Sequence, residues 1–134
     1  MSEQPELIPR KTLFGNPERT DVLLSCDGKH VSYLAPVDGV MNVWVAPTDS
    51  VDTAHPVTHD ADRGIRVHFW SYNAAHILYV QDREGDEDWH VYAVNIESGE
   101  ARDLTPYEGV SAFPFGLSRR FPDEVLVGVN RRDP

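Results

Sequence analysis

A single cysteine, Cys26, occurs in the 134 residues. No internal disulfide can form, and a lone thiol fits a reducing compartment. Basic residues are also scarce: Lys and Arg number 12 against 22 Asp and Glu, for a net charge of −10. Nucleic acid and anionic membranes both recruit clustered Lys and Arg, so neither is expected as a partner. Long apolar runs are missing as well. Residues 1–20 contain no apolar core of signal-peptide length, and nothing approaches the ~20 apolar residues of a membrane-spanning helix. A cytoplasmic location is the expectation. No helix of ordinary length is evident either, which leaves strands and turns to build the core.

Those strands are plain between Arg66 and Pro106. Short runs rich in β-branched and aromatic residues (RVHFWS, HILYVQD, WHVYAVNI, ARDLTP) alternate with Gly, Asp, Asn and Ser clusters. This pattern predicts four short antiparallel strands joined by hairpins. Along His76–Asp82, Ile77, Tyr79 and Gln81 face one way while Leu78, Val80 and Asp82 face the other. One such sheet cannot bury both faces, so others must stack on it.

Repetition supplies them. Tyr79 follows Tyr33 by 46 residues, Tyr92 follows Trp44 by 48, and Leu104-Thr105 follows Val57-Thr58 by 47. Val127 then follows Tyr79 by 48. A four-strand unit recurring every ~40–50 residues is the signature of β-propeller blades. An immunoglobulin-like sandwich, the competing all-β reading, does not repeat internally at this period. The expected fold is therefore all-β, a partial propeller of two four-stranded antiparallel blades plus the start of a third. Residues 1–18 form an N-terminal arm, 19–64 the first blade, 65–109 the second, and 110–134 open the third. Closure takes about 4–8 blades, so the sequence reads as the front of a longer protein.

Within the first blade, Asp21–Ser25, His30–Ala35, Asn42–Ala46 and His55–His59 are the expected strands, with Asp27-Gly28 in the first turn. Within the third, Ser118–Asp123 is expected to turn and Glu124–Asn130 to form the last strand. Trp44, Trp70 and Trp89, with Tyr33, Tyr79 and Tyr92, are expected to pack between blades.

Chemistry-bearing patterns are few. A nucleophile elbow needs Gly-x-Ser-x-Gly on a strand-to-helix turn, and Gly109-Val110-Ser111-Ala112-Phe113 lacks the second Gly and the helix. Cys26 has acidic surroundings that do not favour a thiolate. His55 and His59, if on one strand, stand about 13 Å apart, too far for one zinc ion without other ligands. The acidic loop from Asp82 to Asp88 suggests a calcium loop, but Glu87 and Ala93 occupy the positions that need Gly and Glu. It reads as a solvated hairpin loop. No metal or cofactor is expected, and no catalytic set is present.

Particular strings carry a resemblance. Leu13–Arg19 (LFGNPER), the Ser25–Lys29 turn and Gly85–Tyr92 (GDEDWHVY) resemble the amino-terminal propeller of prolyl oligopeptidase family serine peptidases. The dipeptidyl-aminopeptidase and acylaminoacyl-peptidase branch is the most similar. The resemblance runs from about Ile8 to Asp133, with Cys26 where the family's turn usually has Pro. The internal period and these strings together mark Asp27, Gly28, Tyr33, Trp44, Tyr79, Gly85, Asp86, Trp89 and Tyr92 as structural repeat positions. The resemblance implies a carboxyl-terminal α/β-hydrolase domain as partner, a short peptide as substrate, and a gating and scaffold role for the propeller. The triad would lie outside these residues, so this chain alone is expected to be inactive. The alternative is a non-enzymatic TolB-like or WD-like propeller module that binds proteins.

Overall fold

The computed structural model describes residues 7–10, 12, 15 and 18–131. The expected N-terminal arm over 1–18 lies largely outside the described residues. Ten strands follow in order: β1 (Thr20–Leu24), β2 (His30–Val37), β3 (Val40–Pro47), β4 (His55–Pro56), β5 (His68–Trp70), β6 (His76–Gln81), β7 (His90–Asn95), β8 (Ala101–Asp103), β9 (Ala112–Ser118) and β10 (Phe121–Val129). They form antiparallel sheets β1-β2-β3-β4 and β5-β6-β7-β8 and a two-stranded sheet β9-β10. The architecture is that of consecutive propeller blades, all-β as the repeat implied.

Local chemistry explains each hairpin. Between β2 and β3, Asp38 (φ 50°) and Gly39 (φ 85°) both take left-handed conformations, the geometry of a tight hairpin turn whose twist matches its strands. That turn sets an unbroken register from His30↔Pro47 to Val37↔Val40. Alternation then puts Ser32, Leu34, Val43 and Val45 on one face of the first sheet and Tyr33 and Trp44 on the other.

The second sheet meets the first along this face. Leu34, Val43, Val45, Val57 and Ile65 from the first blade pack with Trp70, Ile77, Tyr79, Val94 and Ile96 from the second. Val43, Ile77 and Val94 are fully excluded from solvent. Burial of each such side chain contributes roughly 1.5–3 kcal/mol, so this seam is the main source of cohesion between the blades.

Outer strands are shorter than expected. The predicted strand over His55–His59 pairs only at His55 and Pro56. Beyond Pro56, Val57 N–H still donates to Val43 C=O (2.8 Å), but Thr58 substitutes its hydroxyl for a backbone acceptor and receives Val43 N–H at 2.9 Å. The second blade repeats both bonds. Leu104 N–H donates to Val91 C=O (2.8 Å) and Val91 N–H to Thr105 Oγ1 (3.0 Å).

The third blade departs further. Ser118 pairs with Phe121, so Arg119-Arg120 alone makes the turn and β10 begins three residues before the expected Glu124. Ser118 Oγ accepts Arg120 N–H at 3.2 Å and tightens the bend. Pro122 falls in the register break between Phe121 and Val125, where the ladder to β9 is interrupted and a missing N–H costs no bond.

Candidate functional site

The turn between β1 and β2 is built by Asp27. Its carboxylate accepts Ser25 Oγ–H (2.6 Å) and Lys29 N–H (3.0 Å), and these bonds hold its pKa below the ordinary carboxylate value. Gly28 follows in a left-handed conformation (φ 71°) and donates to Ser25 C=O. Cys26, exposed in the same turn, directs its thiol at Tyr72 C=O in the corresponding turn of the second blade (3.0 Å).

Aromatic repeat positions pair across strands. Tyr33 stacks on Trp44 with ring centroids 6.5 Å apart, and Tyr79 on Tyr92 at 5.3 Å. Trp70, Tyr79 and Tyr92 reach the seam between the first two blades, while Tyr33 and Trp44 lie on the far face, where Arg19 sits 5.0 Å over the Tyr33 ring. Burial pushes the Tyr79 phenol up to about 12. Trp89 lies in the approach to β7; its N–H donates to Ser111 Oγ (3.2 Å) and its C=O accepts Ala112 N–H (2.6 Å). Ser111, expected as a strand residue, precedes β9 and spends its hydroxyl bonding the Glu87 carbonyl, so it ties loops together.

The acidic loop after β6 is organised by its own backbone. Asp86 Oδ1 accepts the N–H groups of Arg83 (3.2 Å) and Asp88 (3.0 Å), while Glu84, Gly85 and Glu87 take positive φ. Asp82 is buried, with Arg63 Nε 3.9 Å from its carboxylate. The Arg63 guanidinium lies where a Cβ on Gly85 would fall, so this glycine makes room for the counter-charge. A second carboxylate, Asp103, holds His90 Nδ1 at 2.7 Å. Among the described residues no three His, Cys, Asp or Glu side chains are placed to hold a metal ion.

Sequence reading missed one constellation. Ser32 Oγ lies 2.9 Å from His68 Nε2, and Asp21 Oδ2 lies 3.0 Å from His68 Nδ1, off the line of a straight hydrogen bond. The order Ser, His, Asp imitates an acyl-transfer triad. Access rules that out as chemistry: Ser32 is 0% exposed, so no substrate carbonyl can approach it. The array instead links β1 and β2 of the first blade to β5 of the second. A signal was available, since strand alternation already put Ser32 on the face shared by Leu34.

These blades define a propeller that supplies packed faces and loops and, among the described residues, no accessible nucleophile–base pair. No protein-family profile matches the chain. Dipeptidyl aminopeptidase BIII of Pseudoxanthomonas mexicana is 52% identical over 128 residues, covering 96% of this chain and 19% of that protein. The β-propeller domain of the trilobed protease from Pyrococcus furiosus superposes with a TM-score of 0.63 at 19% identity, covering 87% of this chain and 36% of that one. An acylaminoacyl peptidase from Pyrococcus horikoshii gives 0.54 at 17% identity, over 72% of this chain and 19% of that one. The two structural likenesses speak for the fold alone. The chain is a partial β-propeller, similar in sequence to about a fifth of a dipeptidyl aminopeptidase and in fold to the propeller domains of these peptidases. It spans about a fifth of the length of the curated relatives it matches.

Proposed function

We propose that this chain serves as part of the substrate-gating and scaffold propeller of a serine peptidase that hydrolyses short peptides. The 52% identity to a dipeptidyl aminopeptidase, extending over nearly all of the chain, carries the reading. In it, a carboxyl-terminal α/β-hydrolase domain supplies the serine nucleophile, its base and the oxyanion hole. The blades exclude folded proteins from that centre. The exposed thiol of Cys26 accords with a reducing, cytoplasmic setting.

A fluorophosphonate probe tests the division of labour. The 134-residue chain alone should remain unlabelled, while the product purified from its source cells should label at a serine beyond residue 134. Stoichiometric labelling of the short chain would refute the reading. So would a native product that ends at Pro134 and takes no label.

A further inference from the structure

We propose that Asp21, His68 and Ser32 form a proton-operated catch on the seam between the first and second blades, closed while His68 is neutral. Ser32 is fully buried and the His68 side chain is 0% exposed, whereas the Asp21 side chain keeps 41% of its surface in solvent. The array therefore has one wet end and one dry end.

One neutral tautomer suits both ends of the ring. With the ring proton on Nδ1, facing the Asp21 carboxylate, Nε2 is free to accept the Ser32 hydroxyl at 2.9 Å. A second proton on Nε2 would reverse that bond and turn the hydroxyl hydrogen away from the ring. The added charge would also lie in a solvent-free ring. Asp21 on β1 is the one charged group facing it among the described residues, Ser32 on β2 is uncharged, and Tyr79, its pairing partner on β6, keeps its phenol neutral. Burial outweighs the attraction of Asp21 and holds the His68 pKa below its ordinary value.

Asp21 is placed for this contact at a backbone cost. It takes a left-handed conformation (φ 53°) in the register break between Thr20 and Leu23. The device is confined to one seam. At a spacing of 46 residues, Asp21, Ser32 and His68 correspond to Val67, Leu78 and Pro114, which cannot form such an array. Acid should therefore loosen the first seam and spare the second.

Reporter cysteines read this directly in the intact protein carrying Cys26→Ser. Val45→Cys reports the first seam and Val91→Cys the face of the second blade turned away from it; both positions are buried. Thiol-labelling rates are compared with and without His68→Gln at the same pH, which cancels thiol ionisation. At pH ~5.5 the Val45→Cys reporter should label faster with His68 than with Gln, by up to about tenfold. At pH ~8 the two should agree, and the Val91→Cys reporter should not distinguish them. Equal Val45→Cys rates at the lower pH, or an equal acceleration at Val91→Cys, overturns the catch. Should His68→Gln not fold, NMR titration of His68 in the parent decides: a midpoint below 6.5 coinciding with the labelling step supports the catch, and one at or above 6.5 overturns it.

Discussion

Ala74 occupies in the second blade the left-handed position that Gly28 occupies in the first. Their φ angles are 57° and 71°, and each N–H donates back to a serine carbonyl, Ser71 for Ala74 and Ser25 for Gly28. An L-residue with a Cβ is strained there by roughly 1–2 kcal/mol, while glycine loses about 0.5–1 kcal/mol through its looser unfolded chain. Ala74→Gly should therefore stabilise the protein by up to about 1 kcal/mol, and Gly28→Ala should destabilise it by a similar amount. Urea midpoints with unchanged slopes would check both.

The repeated threonine bond makes a second prediction. Thr58 and Thr105 each accept a buried valine N–H through the hydroxyl. Thr105→Val keeps the shape but strands the Val91 N–H, at a cost of about 1–3 kcal/mol. Thr105→Ser should recover most of this. Equal stability of the Val and Ser variants would mean that the bond contributes nothing.

Ile77 is fully buried at the centre of the first seam. Ile77→Ala should cost about 2–5 kcal/mol, the larger figure if the facing sheets fail to close over the cavity. Thermal unfolding compared with Val22→Ala, at an exposed strand position, separates the cavity from generic strand propensity.

Tyr79 sets the alkaline limit. Its phenol, pushed up to about 12 chiefly by burial, stays neutral in the fold while an unfolded tyrosine ionises near 10. The contribution is thus intact below pH 10 and is lost as pH rises from 10 towards 12. Absorbance titration at the phenolate band should show one tyrosine, absent in Tyr79→Phe, that ionises well after the others. A normal titration of all tyrosines would contradict the burial.

Period and alternation made the sheets legible. Tyr33 with Trp44 and Tyr79 with Tyr92 emerge as directly opposed partners because a spacing kept across two blades reflects a register kept across two hairpins. Strand ends were less legible. Thr58 ends β4 with a side-chain bond, and Arg119-Arg120 turns without Gly, Asn or Asp, so neither boundary leaves a compositional mark. The Asp21–His68–Ser32 array was hidden for a different reason. Its members come from three strands, and Asp21 joins only through a conformation that alternation does not anticipate.

The first seam also sets a schedule for synthesis. Its members extend from Leu23 to Ile96, 73 residues along the chain. At about 5–20 residues per second, a nascent chain would have to shield the exposed valines and leucines of its first sheet for roughly 4–15 seconds before the facing sheet is made. Because each sheet contacts only its neighbours, the wait is the same however many blades follow. The ribosome can thus hand over this architecture one wedge at a time.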